Sequence, residues 1–63
     1  MPMHKQMLTI TEVAKRLGMH PVSVYRMVKE ARLPAFRIGR LLRFDRDQIE
    51  NWVRMHQRRA RQR

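Results

Sequence analysis

The 63-residue chain has no cysteine, which excludes disulfide stapling and thiolate metal sites together. A chain this short buries only about 60% of its unfolded surface, so the fold must rest on apolar packing alone. The absence of cysteine fits a reducing, cytoplasmic setting. No apolar run approaches the roughly 18 residues of a membrane span, and Met1-Pro-Met-His-Lys-Gln-Met7 has no apolar signal core. The expectation is a chain that stays in the cytoplasm and away from membranes. Acidic residues are scarce: five Asp and Glu stand against fifteen Lys and Arg, a formal charge of +10. Such an excess repels itself in a compact state and favours a polyanionic partner, nucleic acid first and an anionic membrane surface second. Catalytic patterns are missing too. There is no glycine-rich phosphate loop, paired-carboxylate pattern or H-E-x-x-H motif, and His4, His20 and His56 are scattered. Neither an enzyme nor a cofactor or metal site is expected.

What is present is a series of well-marked helix ends. Thr9 and Glu12 form a T-x-x-E capping box, with Leu8 and Val13 spaced as a hydrophobic staple. Val13, Ala14 and Leu17 make an apolar stripe, Lys15 and Arg16 face outward, and Gly18 ends the helix. Pro21 suits the first position of a second helix, with His20 as its cap in place of the usual Ser or Asn. In that helix, running to about Glu30, Val24, Met27 and Val28 face inward, and Val22, Ser23, Tyr25, Arg26 and Lys29 fall on other faces. The period then drops to two. Phe36, Ile38, Leu42 and Phe44 read as the apolar face of a hairpin turning at Gly39-Arg40, with Arg37, Arg40 and Arg43 on its basic face. A last helix opens at Asp45, in a capping-box variant with Gln48, and buries Ile49, Trp52, Val53 and His56. Five arginines and no acid follow from Arg54 to Arg63.

The expected fold class is mainly α with a small β-hairpin, a winged helix-turn-helix in the order helix, helix, hairpin, helix. Its boundaries are a flexible arm over 1–7, the domain over 8–57 and a basic tail over 58–63. Ala14, four residues before Gly18, is small enough to let the second helix pack closely, which is what the helix-turn-helix requires. In that motif the second helix lies in the major groove, so Val22, Ser23, Tyr25, Arg26 and Lys29 are the candidate recognition residues. The planar fork of Arg26 matches the two acceptors of guanine, and Val22 would meet a thymine methyl. Arg37, Arg40 and Arg43 are candidate wing contacts to phosphate. Lys15, Arg16, His20, Arg58 and Arg59 are further candidates for phosphate.

The run Leu8-Thr-Ile-Thr-Glu-Val-Ala-Lys-Arg-Leu-Gly18, then Val24-Tyr-Arg26, Leu33-Pro-Ala-Phe-Arg-Ile-Gly-Arg40, Arg43-Phe44 and Ile49-Glu-Asn-Trp-Val53 resembles the excisionase family. These are winged-helix proteins related to the DNA-binding domain of the MerR regulators, and the likeness covers about Leu8 to Val53. It implies a protein that binds and bends double-stranded DNA beside an attachment site and helps an integrase or recombinase excise an element. It also implies a recognition role for Ser23, Tyr25 and Arg26, a wing role for Arg37, Arg40 and Arg43, and no catalytic residues. His20 departs from the family pattern, which usually has Ser or Thr there.

Two other readings stand beside this one. A small MerR-like transcription regulator would show the same residues, and a basic amphipathic interaction module or RNA-binding module would share the charge. No heptads follow the last helix, so the chain is expected to be a monomer that binds cooperatively to repeated sites. It would be associated with the nucleoid.

Overall fold

The computed structural model describes the backbone of residues 7–61 and the side chains of residues 7–57. Among the described residues six elements follow one another: β1 (Met7–Leu8), α1 (Ile10–Leu17), α2 (Pro21–Lys29), β2 (Phe36–Ile38), β3 (Leu41–Asp45) and α3 (Arg46–Arg61). Three helices with a small antiparallel sheet make a winged helix-turn-helix, as the patterning predicts. The sheet has three strands rather than the two of a hairpin, in the order β1-β3-β2. Met7, assigned to the arm by its sequence, is therefore paired: it lies opposite Asp45, and Leu8 lies opposite Phe44. Met1 to Gln6 of the expected arm lie outside the described residues. The backbone of α3 continues to Arg61, past the expected boundary at 57.

Helix ends are set by local chemistry. Thr9 Oγ1 accepts from the Glu12 N–H at 3.2 Å, and Glu12 Oε1 accepts from the Thr9 N–H at 2.8 Å, closing the capping box. His20 caps α2 through Nδ1, which accepts from the Val22 N–H at 3.2 Å. Asp45 Oδ1 accepts from the Asp47 N–H at 2.9 Å at the start of α3. Both α1 and α2 end in the same paired motif. At Gly18 (φ +68°), the Met19 N–H reaches the Ala14 carbonyl at 2.9 Å and the Gly18 N–H reaches Lys15 at 3.3 Å. At Ala31 (φ +59°), the Arg32 N–H reaches Met27 at 2.9 Å and the Ala31 N–H reaches Val28 at 3.0 Å. The second motif thus places a Cβ in the left-handed region that glycine occupies in the first.

The core is one cluster: Leu8, Val13, Ala14, Val24, Leu33, Phe44 and Ile49 are buried, with Phe44, Ile49, Val13 and Val24 fully so. Met19, Met27, Trp52 and Val53 pack partly against it. Leu33, between α2 and β2, belongs to this core. His56, expected in the buried stripe of α3, is exposed and stacks on Trp52 with ring centroids 3.8 Å apart. The cause is its place one turn beyond Trp52, where α3 has passed the edge of so small a core. The Trp52 indole N–H donates to the Arg32 carbonyl at 2.8 Å, fastening α3 to the segment between α2 and β2.

The hairpin faces differ from expectation. Its two-residue turn pairs Ile38 with Leu41, Arg37 with Leu42 and Phe36 with Arg43. Directly opposed residues share a face, so an even-numbered residue on β2 shares its face with an odd-numbered one on β3. Phe36 and Ile38 therefore cannot lie beside Leu42 and Phe44. Leu42 and Phe44 turn to the core, while Phe36, Ile38 and Leu41 stand exposed on the outer face. The expected basic face divides likewise, with Arg37 on one side of the hairpin and Arg43 on the other.

One ion pair ties α1 to α3. Arg16 Nε and Nη2 donate to the two carboxylate oxygens of Glu50, each at 2.7 Å. The hydrogen bond from Arg16 holds the Glu50 carboxyl below the usual glutamate range; partial desolvation opposes this, and the charges of Arg16, Arg46 and Arg54 reinforce it. The unfolded chain therefore takes up this proton more readily than the folded one. The pair's contribution to stability is present in full above the ordinary glutamate range and is lost as pH falls through the lowered value.

Two outcomes follow from these features. Ala31→Gly relieves the left-handed Cβ and raises stability by roughly 0.5–1 kcal/mol, read as an upward shift of several degrees in the thermal midpoint. Glu50→Gln lowers the thermal midpoint at neutral pH, and its curve of midpoint against pH converges with that of the parent chain in acid. Parallel curves would show that the pair contributes nothing to the acid limb.

Candidate nucleic-acid interface

The outer surface of α2 is built by helical periodicity. Val22, Tyr25, Arg26 and Lys29 fall at i, i+3, i+4 and i+7 and form one exposed stripe opposite buried Val24. Val22 is 58% exposed and Tyr25 43%. Lys29 Nζ lies 5.7 Å from the Tyr25 ring centroid, a cation–π contact that joins the two side chains at the far end of the stripe. Arg26 is exposed and has no hydrogen-bond or ion-pair partner among the described residues. Ser23 stands at the flank of the stripe and is half-buried. No acid lies within α2. Glu30, just beyond it, is paired with Arg32 at 3.2 Å.

The turn that sets this helix is short. Gly18, Met19 and His20 separate α1 from α2, and Val13 and Ala14 on α1 share the core with Val24 on α2. His20 is exposed at the N-terminal end of the stripe. A helix presented in this way has its first turn, its open polar groups and its cations on the side away from the core, which is what groove insertion requires.

The hairpin supplies a second basic surface. Arg37 and Arg40 are exposed and free of partners among the described residues. Arg43 is half-buried, and its Nη1 donates to the Leu42 carbonyl at 2.8 Å, leaving its other donors unused by this bond. Arg40 and Gly39 form the turn, with Gly39 at φ +63°; glycine at the first central position is what the II′ hairpin turn selects.

The remaining candidates separate. Lys15 is exposed on α1 and has no partner among the described residues. Arg16, a candidate for phosphate, has Nε and Nη2 engaged by Glu50. Its partner lies 34 residues away, and no local pattern in the sequence announces so distant a match. The side chains of Arg58 and Arg59 lie outside the described residues. Among the described residues no group of His, Asp or Glu is placed to hold a metal ion, and no helix is long and apolar enough to cross a membrane.

Comparison with known proteins agrees with this geometry at the level of the domain. No curated protein and no solved structure matches the chain. A family model described as a helix-turn-helix domain matches residues 7–57, a span that runs from β1 through most of α3 and takes in the exposed stripe of α2 and the hairpin. The chain belongs to this helix-turn-helix domain family, a DNA-binding class.

Proposed function

We propose that the protein is a sequence-specific reader of duplex DNA, with α2 in the major groove and the β2–β3 hairpin against the neighbouring backbone or minor groove. The observation that carries this reading is the acid-free stripe of Val22, Tyr25, Arg26 and Lys29, exposed on the second helix of a helix-turn-helix. In this reading Arg26 takes the N7 and O6 acceptors of a guanine, and Val22 packs on a thymine methyl. Tyr25 and Ser23 supply hydrogen bonds, and Lys29 meets phosphate. Arg37, Arg40 and Arg43 contact the backbone from the wing, with Lys15, His20, Arg58 and Arg59 as further phosphate contacts. Arg16 is the weakest of the phosphate candidates, since Nε and Nη2 are engaged by Glu50 and only Nη1 is left for such a contact.

Within that reading, the motifs shared with excisionases support a role in recombination directionality. The protein binds as a monomer, cooperatively at repeated sites, bends the DNA beside an attachment site and assists an integrase in excision. A transcription regulator would use the same stripe. An integrase-dependent excision assay separates the two: stimulation of excision supports the first role, and repression of a promoter without stimulation supports the second.

Binding itself is checked by duplex shift assays with salt titration. If about six phosphates are contacted, log affinity falls with log salt at a slope of roughly −5. Arg26→Ala costs about 1–3 kcal/mol and relaxes preference at one base pair. Arg40→Ala weakens all sequences alike and flattens the slope by about one. Unchanged discrimination in Arg26→Ala would remove base readout from that residue.

A further inference from the structure

Two large aliphatic side chains stand at the hairpin tip where the core cannot reach them. Ile38 and Leu41 are direct cross-strand partners flanking the Gly39-Arg40 turn, and they are 51% and 52% exposed. The register places both on the outer face, with Phe36 and Arg43 as the next pair behind them. Single exposed aliphatics are ordinary on protein surfaces. A directly opposed pair is different, because its Cβ atoms are held about 5 Å apart and form one apolar block. The turn beyond the block is only two residues wide, and one of them has no side chain.

The surroundings of the block select its partner. Arg37, Arg40 and Arg43 lie within or beside the tip, and no acid occurs from Phe36 to Phe44. A second copy docked on this face would bring like guanidinium groups together. An apolar patch on another protein would have to desolvate those groups with nothing to pair them. The minor groove of B-DNA meets both demands, since it is about 6 Å wide and has phosphates along both walls.

We propose that Ile38 and Leu41 form an apolar wedge that enters the minor groove and partly unstacks one base step, making the hairpin the element that bends the duplex. The inference rests on the DNA-reading function proposed above. The wedge adds a bending mechanism to that function and a second source of specificity. Pyrimidine–purine steps such as TA and CA unstack most easily, so such a step belongs under the hairpin tip. Arg40 then lies beside the opened step and Arg37 and Arg43 at the flanking phosphates.

The test uses the full chain and a duplex of about 30 base pairs selected by the protein from a random-sequence pool. One set of duplexes carries 2-aminopurine in turn at each adenine of the bound site, and another carries donor and acceptor dyes at its ends. The parent protein should raise 2-aminopurine fluorescence at one pyrimidine–purine step and bring the two ends together. The double variant Ile38→Ser/Leu41→Ser should lose both signals on the DNA it still occupies at saturating protein. Its far-UV circular dichroism and thermal transition show that it is folded. Met55→Ser, which removes an equally exposed apolar side chain from α3, should keep both signals. Binding by the parent protein with no fluorescence rise at any step overturns the wedge alone, as does a double variant that bends the duplex like the parent. Failure of the pool to yield any bound duplex overturns the DNA-reading function and the wedge with it.

Discussion

The burial of Phe44 is the constraint on which the other parts depend. It sits on the central strand of the sheet, opposite Leu8, and shares a fully buried cluster with Val13, Val24 and Ile49. That cluster thus gathers contributions from α1, α2, α3 and the neighbouring strand. In a domain this small there is no second core to compensate for it. The same strand carries Leu41 to the hairpin tip three residues earlier, and strand alternation puts the two on opposite faces. Fixing Phe44 inward therefore also fixes the direction in which the wing displays its outer surface. The α2 stripe is set through the same cluster, by Val24 packed against the α1 residues Val13 and Ala14.

Much of this was legible in the residues because the signals are local. The capping box of Thr9 and Glu12, the glycine stop at Gly18, Pro21 after a cap and the i, i+3, i+4 spacing of Val24, Met27 and Val28 all lie within single turns. The hairpin was legible in position but misread in facing. Alternation of Phe36 with Ile38 and of Leu42 with Phe44 shows two pleated strands, yet only the loop length says which faces coincide. A two-residue loop settles that by parity, so the signal was present and lay in counting across the turn. Other features are non-local and left little trace. β1 is two residues long, too short for a period, and Arg16 meets Glu50 across the whole domain. Leu33 looks like a loop residue beside Pro34 until α3 closes over it. Of the candidate contact residues, the stripe on α2 was readable from period alone, whereas the ion pair of Arg16 was not.

Charge is divided by function within the chain. Its five acids have structural settings: Glu12 in a capping box, Glu30 with Arg32, Asp45 at a helix start, Asp47 in the first turn of α3 and Glu50 with Arg16. None lies on the outer stripe of α2 or at the hairpin tip. The charges of the stripe and of the tip are thus all positive. Self-repulsion among these cations opposes folding, and a polyanion would relieve it. Stability of the domain and affinity for such a partner are linked through the same groups.

The histidine at the head of α2 has a consequence of its own. Because Nδ1 of His20 accepts the Val22 N–H, the ring must be the tautomer that carries its proton on Nε2. A serine or threonine cap would accept that N–H through a hydroxyl close to the backbone, whereas the imidazole accepts it through one edge of a ring. The far edge of the same ring offers its Nε2 proton as a hydrogen-bond donor at the leading end of the helix, set further from the backbone than a serine or threonine hydroxyl would be.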